Sequence, residues 1–135
     1  ISSMEPTPGG TILEAEDAQF SVAKVNSKNA GFTGSGYISS NQGHAYVKVK
    51  WEYEAEKDGE YILEFRYSLQ RQKHFTSHLK VNGIAIDGLL FWESTDSKTW
   101  VWDRVKVKLR KGKNTIEVEP EGMVNFDHLN VIELK

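Results

Sequence analysis

Two groups of residues in this 135-residue chain are of types that do chemistry. The first is acidic. Glu14 and Glu16 flank Ala15 in Thr11–Glu16, a stretch that reads as a short strand, so both side chains fall on one face. Like charges side by side repel. Either both face water, or a cation sits between them. The second group is aromatic. Phe91–Trp102 holds three of the four tryptophans, Trp92, Trp100 and Trp102. Its first half is polar and turn-rich and reads as a loop. Its second half runs into Val105, Val107 and Leu109, which alternate with charged residues as in a strand. If Val101 shares the inward face of that strand, Trp100 and Trp102 point away from the core. A large aromatic held at a loop–strand junction outside the core suits stacking on the apolar face of a sugar ring, and Trp100 is the expected platform. The competing reading is that Trp100 packs in the core, as most tryptophans do.

Length and composition bound what positions these groups. The chain is long enough for one domain with a real core and too short for two. A formal net charge of −2 gives no bulk bias toward nucleic acid or an anionic membrane. Lys48, Lys50, Lys106 and Lys108 alternate along strands, as on a solvated sheet face. The absence of cysteine removes disulfides and thiolate chemistry. No apolar run reaches the length of a membrane span. Residues 1–10 contain two prolines and two glycines and are expected to be the remnant of an interdomain linker, with the module occupying 11–135.

The remaining segments read almost entirely as strands and turns. Phe20–Val25 is a candidate strand. Residues 26–38 carry Gly31, Gly34 and Gly36 without the Lys-Ser/Thr of a phosphate loop, and read as an irregular loop whose carbonyls could turn inward. Ala45–Tyr53 and Tyr61–Tyr67 alternate strongly, with Trp51 in the core, and are expected to form a hairpin across Lys57–Glu60. Leu69–Thr76 is a polar, basic loop. Asn82-Gly83 joins Ser77–Val81 to Ile84–Ile86 as a hairpin turn. Thr115–Glu119 and Asn125–Leu134 close the domain. Eight to ten short strands without helical periodicity predict an all-β protein, an antiparallel sandwich or barrel.

Nucleophile elbows, zincin helices and Walker loops are absent. The histidines at 44, 74, 78 and 128 lack the spacing of metal ligands on a helix.

Five pieces read in order rise above this background: Glu14-Ala15-Glu16; Ala30-Gly31-Phe32-Thr33-Gly34-Ser35-Gly36-Tyr37; Val81-Asn82-Gly83; Trp100-Val101-Trp102 running to Gly112-x-Asn114; and Asn125-Phe126-Asp127. This set resembles the carbohydrate-binding modules of family 35 and, more distantly, family 6, over Thr11–Glu133. The resemblance implies a jelly-roll β-sandwich. It implies structural calcium held by Glu14, Glu16 and Asp127 with carbonyls of the Gly-rich loop, those of Thr33 and Gly36; oxygen donors of this number suit calcium. It also implies a loop-end sugar site at Trp100, Tyr37 and Asn125, to which Asn41 and His44 of the next loop could add hydrogen bonds. The tryptophans are two apart, where family 6 more often has three, and Phe91-Trp92 is an extra pair. Trp102 and Trp92 are therefore alternative platforms.

The expected function is that of a non-catalytic module. It would bind a polysaccharide or oligosaccharide containing uronic acid, mannose or galactose. It would tether an appended extracellular glycan-degrading enzyme to that substrate, as a secreted or cell-surface monomer with no nucleic-acid or membrane partner. Its rivals are a protein-binding or cell-surface adhesion sandwich and, behind it, a small glycan-active enzyme.

Overall fold

The computed structural model describes residues 6–21, 23–28, 31–40, 47–69, 75–86, 90–91, 100–120 and 124–134. Twelve strands lie among them: β1 (Thr11–Glu14), β2 (Gln19–Ser21), β3 (Ala23–Asn26), β4 (Tyr37–Ser40), β5 (Lys48–Ala55), β6 (Gly59–Leu69), β7 (Phe75–Val81), β8 (Ile84–Ile86), β9 (Leu90–Phe91), β10 (Val101–Leu109), β11 (Gly112–Pro120) and β12 (Val124–Glu133). This exceeds the eight to ten expected, because short pieces such as β2, β3 and β9 carry too few residues to show a period. The first sheet has the order β10-β6-β12-β4-β3, with β1 also pairing β12, and the second has β2-β5-β11-β7-β8, with β9 beside β7. All pairings are antiparallel. The architecture is the expected jelly-roll β-sandwich.

Two local expectations give way. The strand read through Glu16 ends at Glu14, and Ala15–Asp17 form a single 3-10 turn. The expected hairpin of Ala45–Tyr53 with Tyr61–Tyr67 does not form: β5 pairs β2 and β11, whereas β6 pairs β10 and β12. Both strands carry one fully apolar face, and these faces meet across the sandwich instead of lying side by side. Trp51 of β5 sits 5.8 Å, ring centre to ring centre, from Phe65 of β6 and 6.4 Å from Phe126 of β12, in the core as expected. The Asn82-Gly83 hairpin forms, with φ of 53° and 83°, the left-handed pair a tight two-residue turn needs. Asn82 then pins the turn to β11, donating from Nδ2 to Asn114 Oδ1 and accepting from Thr115 N.

The outer face of the first sheet positions everything that follows. Strand register aligns Trp102, Arg66, His128 and Glu14 in one row across β10, β6, β12 and β1. The next row is Arg104, Glu64, Asn130 and Ile12. Glu64 is fully buried and its carboxylate accepts from Thr7 N, Thr7 Oγ1, Asn130 Nδ2 and Arg104 Nε. Thr7 belongs to the segment read as linker, and Gly10 of that segment lies against Asn130 and Ile132, where a Cβ would collide with both side chains. Burial alone would raise the Glu64 carboxyl; the donors from Thr7, Asn130 and Arg104 outweigh it and hold the group below its ordinary value of 4.5.

This assignment makes a stability prediction. A depressed carboxyl stabilises the fold above its unfolded value near 4.5, and that stability is lost as pH falls through the lower folded value. Glu64→Ala should cost about 2–4 kcal/mol at pH 7, because it strands buried donors. Urea titrations of wild type and Glu64→Ala at pH 7 and pH 3 check both points. The gap between the two proteins should narrow at the lower pH.

Candidate functional site

The Gly-rich loop of residues 31–36 folds onto the Trp102–Arg66–His128–Glu14 row. Thr33 is its centre. The Thr33 backbone N–H donates to both Asp127 oxygens, at 2.9 and 3.1 Å, and its hydroxyl donates to Glu14 Oε1 at 2.7 Å and lies 2.9 Å from His128 Nδ1. Glu16 reaches the same loop from the 3-10 turn, its Oε2 accepting from Ser35 N at 2.9 Å and Gly36 N at 3.3 Å. Gly34 has φ +65°, and a Cβ there would strike the Glu16 and Glu14 carboxylates. Only glycine lets the loop close over the acids.

Asp127 arrives by a β-bulge. Phe126 pairs Tyr67 and His128 pairs Arg66, so Asp127 is the extra residue on β12. Without the bulge, the alternation that sends Phe126 inward would send His128 inward too. With it, Asp127 and His128 are both brought to the outer face, and neither is exposed. Asp127 Oδ2 accepts from Arg66 Nη1 at 2.7 Å, and the same nitrogen donates to the Gly31 carbonyl.

These residues form a centre with the chemistry of a cation site. Ligand atoms of Glu14, Asp127 and His128 lie within 4.8 Å of one another. Glu16 Oε1 is buried without a hydrogen-bond partner, an acceptor left for something else. Burial pushes the Glu14 carboxyl above its ordinary value; the Thr33 hydroxyl opposes this, while the charges of Glu16 and Asp127 add to it. Glu14, Glu16 and Asp127 with Arg66 leave a formal −2 with His128 neutral, the charge a divalent ion cancels. Thr33 and Gly36, expected through their carbonyls, meet the acids through N–H and hydroxyl donors. His128 and Arg66 had been missed. His128 had only its place on a strand to speak for it, and Arg66 looked like any polar residue alternating along β6.

The aromatic end adjoins this centre. Val101 pairs Tyr67 and packs on the core, while Trp102 pairs Arg66 on the outer face, so the predicted parity holds. The solvent-facing ring does not. Trp100 is only 7% exposed: Tyr37 meets its ring at 5.1 Å in a T-shaped contact, and Gly31 lies beneath it, where a Cβ would sit 3.0 Å from Trp100 Cδ1. Trp102 is half-buried, its Nε1 without a partner. The Arg66 guanidinium lies over both rings, 5.5 Å from the Trp100 centre and 5.1 Å from that of Trp102. Asn125 is buried and donates to Ser68 Oγ at 3.0 Å. The structure thus brings together Trp100, Trp102 and Tyr37, with Gly31 and Arg66 linking them to the acids. Asn41, His44 and Trp92 lie outside the described residues.

Known proteins resemble the chain in sequence and in fold. Residues 11–134 match the family model described as carbohydrate binding module (family 35). The chain is 33% identical over 127 residues to a cycloisomaltooligosaccharide glucanotransferase of Niallia circulans and 35% identical over 116 residues to a mannan endo-1,4-beta-mannosidase of Thermothelomyces thermophilus. These alignments take in 90% and 84% of the chain but only 13% and 23% of the two enzymes. A family 35 carbohydrate binding module from Clostridium thermocellum superimposes with a TM-score of 0.84 at 28% identity, covering 93% of this chain and 98% of that one.

The burial of Trp100 predicts what its removal does. Trp100→Ala should cost about 3 kcal/mol in urea unfolding, as truncation of a packed aromatic does. A solvent-exposed ring would cost less than about 0.5 kcal/mol. Gly34→Ala should also destabilise, through both its positive φ and the collision with Glu14 and Glu16.

Proposed function

The chain belongs to family 35 of the carbohydrate-binding modules, which are non-catalytic, and we propose that it binds a glycan at the tryptophan end of the sandwich and holds calcium in the adjoining carboxylate centre. In this reading the sugar ring stacks on Trp102 and the accessible edge of Trp100, with Tyr37 bracing Trp100 from behind. Asn125 orients hydroxyls from the strand beneath. The observation that carries the reading is the cluster of Tyr37, Trp100, Arg66 and Trp102 on one outer sheet face, within a chain of this family. A pyranose offers an apolar C–H face to such rings and hydroxyls to amides.

Calcium fits the donor set: the carboxylates of Glu14, Glu16 and Asp127 would hold it, beside the Thr33 hydroxyl. When bound, calcium neutralises the clustered charge and fixes the loop over the row. His128 Nδ1 is the one feature that favours a borderline metal such as zinc instead. The module serves an appended, secreted enzyme that acts on a glycan, raising the local concentration of substrate. The two curated relatives described above are glycan-active enzymes far longer than this chain.

Three measurements test this. On a glycan array spanning α-glucans, mannans, uronic acid-containing chains and galactosides, the isolated domain should bind without releasing reducing sugar. Turnover, or binding only to a protein partner, rejects the reading. Trp102→Ala should abolish binding to the strongest array ligand by calorimetry. Melting of the calcium-loaded domain should fall in chelator and recover with calcium more fully than with zinc. A melting point indifferent to chelator removes the metal from the proposal.

A further inference from the structure

Resting on that reading, we propose that Arg66 is a positioning residue that couples the carboxylate centre to the tryptophan platform, so that a cation bound at Glu14, Glu16 and Asp127 sets the geometry of Trp100 and Trp102. Arg66 is 4% exposed, and its side chain touches both parts. One nitrogen, Nη1, serves Asp127 on one side and the Gly31 carbonyl on the other. The Cζ of the same guanidinium lies over Trp100 and Trp102, 5.5 and 5.1 Å from the ring centres.

A second connection runs through the backbone. Gly31 and Thr33 belong to one short loop. Thr33 is held by Glu14 and Asp127, and Gly31 is packed against Trp100. Movement of the acids therefore reaches the ring by two routes, and both pass through atoms Arg66 grips. Without a cation, Arg66 is the only formal positive charge paired with Asp127 among the described residues. With one, Asp127 divides its charge between the ion and Arg66. The cation also holds the loop that the platform needs held, so the ordering cost is met once for both ligands. Linkage makes the effect mutual: whatever calcium does for sugar affinity, sugar does for calcium affinity.

Lysine at position 66 separates the roles. It keeps the charge beside Asp127 but lacks the flat face for the two rings and the fixed fork of donors. The experiment uses 5-fluorotryptophan-labelled domain, its four fluorine resonances assigned with single Trp→Phe variants, and calcium alone as the probe. In wild type, calcium should bind by calorimetry and shift the Trp100 and Trp102 resonances together. In Arg66→Lys, calcium should bind within about threefold of wild type while those two shifts collapse to less than a third of their size, with Trp51 responding as before. Circular dichroism confirms that the variant is folded; if it is not, the wild-type titration alone decides. Calcium that binds wild type and leaves Trp100 and Trp102 unmoved overturns the coupling and spares the metal site. Equal shifts in Arg66→Lys overturn the role of Arg66. No heat of calcium binding in wild type overturns the metal site and the coupling with it.

Discussion

The ion pair between Arg66 and Asp127 is the constraint on which the rest of this face depends. Both groups are buried, 2.7 Å apart, with side chains 5% and 0% exposed. Removing two charges from water is expensive, and their mutual attraction offsets the loss only when further hydrogen bonds satisfy them. The chain supplies those bonds from unusual places. Thr33 gives Asp127 a backbone N–H, and the Gly31 carbonyl takes a second bond from Arg66. The 31–36 loop is thus held as the solvation shell of a buried pair. Its glycines follow from that: Gly31 needs φ +97° and close approach to Trp100, and Gly34 needs φ +65° and room beneath two carboxylates.

The bulge at Asp127 is the matching constraint on β12. Regular alternation from Leu129 and Val131, both in the core, would place Asp127 inward among apolar side chains. Inserting one residue turns it outward and leaves Phe126 in the core. The hydrophobic sandwich and the charged row can then share one strand without either yielding.

Much of this was legible in the sequence, and what was not has a physical explanation. Period-two alternation identifies β5, β6, β10 and β11, because each has one face on the core and the other outside. Asn82-Gly83 identifies its hairpin because few other pairs tolerate two successive positive φ angles. The partnering of strands is another matter. Alternation says that a face is buried and not what buries it, so β5 and β6 looked like neighbours in one sheet when they face each other across the core. Parity also placed Trp100 on the correct side of β10 and still misjudged its exposure. Side and depth are separate quantities, and depth is decided by Tyr37 and Gly31, which lie more than sixty residues away in sequence. Arg66 and His128 were invisible for the same reason: their roles exist only once register sets them in a row with Trp102 and Glu14.

The two rows on this outer face differ in a way that separates structure from function. In the Glu64 row both carboxylate oxygens are satisfied, by Thr7, Arg104 and Asn130, and the arrangement is closed except for Asn130 Oδ1. In the Arg66 row and the 3-10 turn beside it the hydrogen bonding stays open. Glu16 Oε1, Arg66 Nε, Trp102 Nε1 and His128 Nε2 are buried without partners, and with Asn130 Oδ1 they make up all such side-chain atoms among the described residues. Unpaired polar atoms in the interior cost stability, and folded proteins keep few of them. Four gathered beside three acids and two tryptophans set this row apart from its neighbour. In the proposed reading a cation would meet Glu16 Oε1, and sugar hydroxyls the nitrogens of Arg66 and Trp102. The same sheet face thus carries one row closed by its own hydrogen bonds and one left open.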